Sequence, residues 1–357
     1  MNRFNLDRKR LIIIGAAVIA VGLLGAVVAV AASGGGSDHT ASAAPSTTTL
    51  APTTTTTPKV SSLTGLPAAD PANLDRPAII VKIDNTAPAF PLQEGVDRAD
   101  VVVVEQVEGG VTRMAAVFQS QNAAPGPIRS ARNSDIAIAP SFGVPLFTNS
   151  GGNGGVLASV RASKSLIDTG IDSPGAAAVY NRHQRGSGVH RFFVPIEELY
   201  AIRQGQGTPP PPLFTFRAPG EAPAGDPVTG VNVAYGRNGT KVRYDWNGTG
   251  WARSQDGKVH QMANGGPKIA PANVIVMSTQ YKNSGYVDVA GNPSPEAVLT
   301  GTGDALVFTD GHMIKATWHG IDQGGRLTFT YGLGAPVPLT PGQTFIELDT
   351  PGGAAPF

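Results

Sequence analysis

The 357-residue sequence contains no cysteine, and only 15% of its residues are charged and 6% aromatic. The absence of cysteine excludes disulfides, cysteine-ligated zinc or iron–sulfur centres, a catalytic thiol and lipid attachment to cysteine. Lys and Arg total 27 against 26 Asp and Glu, so the chain lacks the basic excess that nucleic-acid binding requires, and no nucleic-acid partner is expected. With 45 Gly and 30 Pro, the composition favours loops, turns and strands over a helical bundle.

Familiar catalytic signatures are also missing. The sequence has no G-x-S-x-G, no S-x-x-K, no P-loop, no H-E-x-x-H and no G-x-G-x-x-G after a strand. These absences argue against a familiar hydrolase or nucleotide enzyme, and they leave open whether the protein is an enzyme of another kind. The sequence predicts no cofactor and no metal site.

The N-terminus predicts a membrane anchor. Residues 11–32 are apolar or glycine without interruption, and a basic flank at residues 1–10 precedes them. A helix of this length spans a bilayer core, and the positive-inside rule keeps the flank in the cytoplasm. We therefore predict a single-pass cell-membrane protein whose remaining residues are extracytoplasmic. The alternative is a cleaved signal peptide, whose apolar region is usually about 7–15 residues; it would also export the rest of the chain.

Composition divides the remainder of the chain into segments. A spacer rich in Thr, Pro, Ser and Gly occupies residues 33–62. Apolar runs of strand length such as 78–83, a tight turn at Gly109-Gly110 and helical patterns predict an α+β or α/β domain over residues 63–205, and consecutive prolines mark a linker at 206–227. Short strands such as 241–246, with Asn-Gly and Asp-Gly turns between them, predict an all-β domain over 228–350, either a sandwich or a partly open barrel, followed by a tail at 351–357.

The densest polar group of the first predicted domain contains two arginines. Arg129 and Arg132 follow Pro125-Gly126-Pro127, and they would share one face beside free amides if residues 128–138 form a helix. Guanidinium groups and free amides together suit a phosphate or a carboxylate. The alternative is a purely structural role in salt bridges, for which the available partners are Asp135, Glu105 and Glu108.

Three further segments extend this candidate anion site. The first is the glycine-rich loop at 149–155, whose amides can hold an anion. The second is Asp84-Asn85 at the end of the first strand. The third is the segment 180–191, whose three arginines disfavour a cation. Each also has an ordinary interpretation, as a strand–helix connection, a turn or a solvated loop. The candidate ligand-binding residues are Asp84, Asn85, Arg113, Arg129, Arg132, Asn149, Ser150, Gly151, Gly152, Arg182, His183 and His190.

Short motifs occur in a specific order along residues 63–350. They are Leu63-Thr-Gly-Leu66, Arg76-Pro77, Ile83-Asp84-Asn85, Ala99-Asp100-Val101, Val107-Glu-Gly-Gly-Val-Thr-Arg113, Phe118-Gln-Ser-Gln121, Gly126-Pro-Ile-Arg-Ser-Ala-Arg132 and Met313-Ile-Lys-Ala-Thr-Trp318. This series resembles the YerB-like family of bacterial envelope proteins. The resemblance implies a two-domain exported protein, often a lipoprotein, without established catalytic residues. The chain departs from the family in lacking the lipobox cysteine and in having Asn149-Ser-Gly-Gly152 in place of His-Ala-Gly-Gly.

Three functions are compatible with these features. The leading prediction is a membrane-tethered envelope protein that binds an anionic polymer, a lipid-linked precursor or a protein partner without catalysis. The second is an enzyme acting on phosphorylated or polyprenyl-linked envelope precursors, in which arginines stabilise phosphate charge and Asp84 or Asp100 holds a metal ion. The third is a structural scaffold of an envelope complex. Convergent carboxylates would favour the enzyme, and a groove with exposed arginine or tryptophan would favour binding.

Overall fold

The computed structural model describes residues 58–288 and 290–357. The predicted basic flank, the transmembrane helix and most of the spacer therefore lie outside the described residues. Within the described ranges, no helix combines the length and the apolarity needed to cross a membrane.

The first half mixes strands and short helices, as predicted. Its elements are β1 Ile79–Asp84, β2 Val101–Gln106, β3 Thr112–Phe118, α1 Ser134–Ile138, β4 Leu146–Thr148, α2 Gly154–Ala162, β5 Ile167–Asp168, α3 Ala176–Arg182 and α4 Ile196–Ile202. Strands β1 and β2 are rich in valine and isoleucine and are buried along almost their whole length. The turn between β2 and β3 uses Gly109 and Gly110, whose φ angles of 71° and 75° favour glycine. Helix α3 was not predicted.

The second half is mostly strands, as predicted. They are β6 Thr215–Phe216, β7 Asp226–Pro227, β8 Gly230–Ala234, β9 Lys241–Trp246, β10 Trp251–Gln255, β11 Lys258–Val259, β12 Asn273–Ser278, β13 Tyr281–Val287, β14 Pro293–Ala297, β15 Thr302–Thr309, β16 His312–His319, β17 Thr328–Tyr331, β18 Ala335–Pro336, β19 Pro338–Leu339, β20 Thr344–Asp349 and β21 Ala354–Pro356. Strand β9 has the bounds that its alternating apolar pattern predicts.

One twelve-stranded sheet runs through both halves. Its order is β18-β17-β16-β15-β12-β20-β2-β3-β1-β4-β5, with β7 paired to β16. Strand β20 joins the halves because it pairs in parallel with β2 on one side and with β12 on the other. The described C-terminal strands therefore do not close on themselves as a separate sandwich or barrel.

A second sheet packs on the first. Strands β11, β10, β9, β8 and β21 form it in that order, and its Tyr244 and Trp251 share one buried core with Phe308 and Phe345 of the large sheet. Some residues predicted as connections belong to this architecture. In the predicted linker, β6 pairs with β19 and β7 with β16, and in the predicted tail β21 pairs with β8.

A buried charged cluster lies beneath the segment that carries the candidate arginines. Lys82 Nζ forms ion pairs with Glu105 and with Asp135 Oδ1 (2.9 Å), and all three side chains are fully buried. Burial raises the pKa of Asp135 to about 6, an effect that Lys82 opposes and Glu105 reinforces. Asp135 Oδ2 also accepts a hydrogen bond from the Arg132 backbone N–H at 2.7 Å. The cluster thus fixes β1, β2 and α1 relative to the candidate site.

Candidate anion-binding site

Arg129 and Arg132 precede α1 and do not lie in a helix. The backbone N–H of Asp84 donates to the carbonyl of Pro127 (2.9 Å), and that of Arg129 donates to the carbonyl of Lys82 (2.8 Å). The predicted helix over 128–138 is therefore limited to α1, because the backbone of its first part hydrogen-bonds to β1 instead of to its own next turn.

Three candidate arginines meet at one cavity. Arg113, Arg129 and Arg132 all line a cavity of about 620 Å³, a volume typical of small-molecule sites. We call four of its buried lining residues, Val107, Arg113, Arg132 and Val156, the floor, and its two exposed valines, Val189 and Val287, the rim.

Arg113 is the arginine whose charge is least compensated. Its side chain is only 6% exposed; Nη1 donates to the Ser130 carbonyl at 3.1 Å, and Nε has no hydrogen-bond partner among the described residues. Burial, followed by the neighbouring charges of Arg132 and Arg129, lowers the pKa of Arg113 to about 10, an effect that the more distant charges of Asp84 and Glu108 oppose. The group is therefore still protonated at neutral pH, and no carboxylate of the described residues forms an ion pair with it.

The other two arginines are held by carboxylates. Arg129 Nε lies 2.8 Å from Asp84 Oδ2, and Arg132 Nη2 lies 2.6 Å from Glu108 Oε2. Burial acts to raise the pKa of Glu108, but hydrogen bonds from Arg132 and Ser294 hold it below its ordinary value. The structural role anticipated for Arg132 is thus present, with Glu108 as the partner. Both arginines still contribute to the cavity wall.

Asp84 contacts two basic residues, Arg129 and His190, from a fully buried position. Its Oδ2 lies 3.0 Å from His190 Nδ1 as well as 2.8 Å from Arg129 Nε, and its Oδ1 accepts the Thr86 N–H at 3.0 Å. Asp100 accepts hydrogen bonds from the backbone of Gln119 and from Ser120. The two carboxylates that the enzymatic alternative assigns to a metal ion are therefore both engaged with protein groups.

The glycine-rich loop contributes mainly by supporting the arginine segment. Gly152 lines the cavity, but the N–H of Gly151 donates to Asn149 Oδ1 (3.0 Å) and that of Ser150 to the Arg129 carbonyl (3.0 Å). Ser150 Oγ also donates to the carbonyl of Ile128 at 2.9 Å. The predicted cradle of free amides is therefore not formed by Ser150 and Gly151, because neighbouring protein acceptors already use them.

Four of the twelve candidate residues line the cavity and eight do not; three of the eight have side chains that are engaged in other parts of the fold. The Asn85 side chain is buried between the two sheets, where Nδ2 donates to Thr112 Oγ1 and Gln255 Oε1, each at 2.7 Å. Arg182 and His183 both contact Glu198 of α4. None of the three lines the cavity: Asn85 faces the opposite sheet, and the other two contact Glu198 of α4.

One wall of the cavity comes from the C-terminal half and was not predicted from the sequence. Val287 and Ser294 belong to the β13–β14 hairpin, and Ser294 Oγ donates to Glu108. Asn153 Nδ2 donates to the Val287 carbonyl at 3.1 Å, which ties the hairpin to the start of α2. No local pattern signals these residues, since they are more than 130 positions from their partners in the chain. Within the described ranges, no group of three or more His, Asp or Glu is placed to hold a metal ion.

Comparisons with known proteins place the chain in a family. Residues 63–208 match the family described as "Protein of unknown function (DUF3048) N-terminal domain", and residues 231–346 match the corresponding C-terminal domain. The chain is 26% identical over 295 residues to "Putative lipoprotein YerB" of Bacillus subtilis (strain 168), covering 80% of this chain and 85% of that protein.

The fold is also similar to a solved structure. The crystal structure of YerB protein from Bacillus subtilis aligns with a TM-score of 0.69 at 23% identity, over 84% of this chain and 100% of that chain. This likeness establishes the shared fold, and the motif-based resemblance to YerB-like proteins is confirmed. The protein therefore belongs to the DUF3048 family, with both the N-terminal and the C-terminal domain of that family present in one chain.

Proposed function

We propose that this protein binds an anionic component of the cell envelope in the cavity at Arg113, without catalysing a reaction on it. The observation that carries the proposal is the buried Arg113 guanidinium, which lines the cavity without a carboxylate partner among the described residues. Burying a charged group without pairing it is unfavourable. A bound phosphate or carboxylate would supply the compensating charge.

The arrangement favours binding over phosphoryl transfer. Asp84 forms an ion pair with Arg129 and lies 3.0 Å from His190 Nδ1, so it positions Arg129 at the cavity and presents no free carboxylate to a metal ion. A purely structural scaffold would need neither the cavity nor an unpaired arginine in its floor. Absence of binding to any anion would therefore favour the scaffold, or a protein partner, over the proposed function.

We further propose that residues 11–32 anchor the protein in the cell membrane, with the described residues outside the cytoplasm. The relative in Bacillus subtilis is named as a lipoprotein, but this sequence has no cysteine to carry a lipid. An apolar span supplies the same attachment. The full-length protein is expected to stay in the membrane pellet after an alkaline carbonate wash, and a variant lacking residues 1–32 to leave it. Release of the full-length protein by the wash would contradict the anchor.

The binding proposal is tested by titrating inorganic phosphate into the full-length protein in a non-ionic detergent. We expect saturable heat in isothermal titration calorimetry, with an affinity that falls as salt rises. Arg129→Gln is expected to weaken binding about tenfold, because a hydrogen bond to a charged group contributes about 1.5–3 kcal/mol. The matched control is Arg182→Gln, an arginine that is also paired with a carboxylate but lies outside the cavity. Equal weakening by both variants, or no binding at all, would refute the proposal.

A further inference from the structure

We infer that the anion taken by this cavity is amphiphilic: a phosphate or similar anionic head group carried on a hydrocarbon chain. The inference rests on the proposed function and adds the chemical class of the ligand. It follows from how charge and apolar surface are distributed along the cavity.

The floor of the cavity combines a charged and an apolar surface. Arg113 lies there beside Val107 and Val156, each of which is only 1% exposed. The partly exposed Val111 adds an apolar group that a ligand can reach. A bare phosphate ion would occupy a small part of the 620 Å³ and would leave Val111 facing water. A head group with a carbon chain attached would cover it.

The rim exposes apolar side chains that nothing in the described structure covers. Val189 is 55% exposed and Val287 is 49% exposed. They come from different parts of the chain, a turn over Gly188–His190 and the end of β13, yet both line the same opening. Exposed apolar groups gathered around one opening mark a surface that gains free energy when a ligand covers it.

Charge sets the direction in which such a ligand would bind. Asp288 lines the cavity next to Val287, and hydrogen bonds from the side chain and backbone of Asn292 lower its pKa, so it is ionised at neutral pH. A carboxylate at this end disfavours an anion there. The cavity's other carboxylate, Glu108, is paired with Arg132, so the Arg113 guanidinium still favours an anion at the floor. The head group therefore belongs at Arg113 and the hydrocarbon chain at the valine rim.

The experiment compares inorganic phosphate with ethyl, butyl and hexyl phosphate, all below their micelle-forming concentrations. Each is titrated into the full-length protein in a non-ionic detergent, and Arg113→Met titrated identically corrects for partition into the micelle. We expect Kd to fall about two- to fourfold for each added methylene. A methylene that is completely buried contributes about 0.8 kcal/mol, which corresponds to about fourfold, and a partly buried one contributes less. The gain should stop once the chain extends past the rim.

Two variants test whether the gain in affinity with chain length comes from the rim valines. In Val189→Ser/Val287→Ser, the ratio of hexyl phosphate to phosphate affinity should fall well below the wild-type ratio, while Val259→Ser, at an exposed valine on the five-stranded sheet, should keep the wild-type ratio. Phosphate binding with no dependence on chain length would overturn this inference and leave the proposed function intact. No binding of any phosphate would overturn both.

Discussion

Replacing Arg113 by methionine is expected to weaken phosphate binding by about 10- to 100-fold while leaving the protein as stable as the wild type, or more stable. The loss follows from removing a charge-assisted hydrogen bond to the ligand, about 1.5–3 kcal/mol. The stability follows because the wild-type protein buries a guanidinium whose Nε has no acceptor, and an apolar side chain of similar length removes that desolvation penalty. Calorimetric titration and urea unfolding of the same two samples measure both effects.

Arg203 provides the matched control for this prediction. It is also buried, but each of its guanidinium nitrogens has an acceptor, among them the carbonyls of Asp168 and Pro174 and the hydroxyl of Ser173. Arg203→Met should therefore lower the free energy of unfolding by about 1–3 kcal/mol, because several buried acceptors lose their donor, and should leave phosphate affinity unchanged. If Arg113→Met instead destabilises the protein as Arg203→Met does and binds phosphate normally, Arg113 is a structural residue.

The largest effect on stability is expected from Lys82→Met. The substitution leaves Glu105 and Asp135 fully buried without their shared cation, and breaking a buried ion pair from one side lowers the free energy of unfolding by about 3–5 kcal/mol. This is a large part of the roughly 5–15 kcal/mol that stabilises a typical domain. Urea unfolding at pH 7.5 measures the change.

The pH dependence of this variant separates charge from packing. Burial already raises the pKa of Asp135 to about 6 with Lys82 present, so removing the lysine raises it further. A carboxyl whose pKa is higher in the folded than in the unfolded state stabilises the fold at low pH, and that contribution disappears as pH rises through the folded pKa. The difference in free energy of unfolding between wild type and Lys82→Met should therefore be smaller at pH 5 than at pH 7.5. Lys82→Met/Glu105→Gln/Asp135→Asn should recover most of the stability at pH 7.5. A deficit that is constant with pH would show that lost packing, not unpaired charge, is responsible.

The elements of the fold were largely predictable because their signals are local. The apolar run predicted over 78–83 is found as the strand Ile79–Asp84, and the predicted strand Lys241–Trp246 is also present. Gly109-Gly110 forms the expected tight turn. The joining of both halves in one sheet was not predictable, because it depends on β20 pairing with β2 across more than 200 residues. Local periodicity carries no information about which strand lies next to which.

The sequence predicted which arginines belong to the candidate site, but it did not predict how the backbone places them. Arg129 and Arg132 reach the cavity from an extended segment, because backbone pairing to the end of β1 displaces the helix that their spacing suggests. Asn85 and Asp84 are adjacent in sequence, yet successive strand residues point to opposite faces; Asp84 therefore serves the cavity while Asn85 is buried against Gln255. The hairpin that carries Val287 had no signature of a ligand site.

The central claim is that the cavity at Arg113 is an anion site, and a crystal of the protein soaked in tungstate tests it most directly. Tungstate has the shape and charge of a phosphate, and its anomalous scattering locates it independently of any assumption about the ligand. The claim predicts a strong anomalous peak in the cavity within hydrogen-bonding distance of the Arg113 guanidinium, and no such peak in crystals of Arg113→Met. Peaks confined to exposed arginines such as Arg182, with the cavity free of tungstate, would contradict it.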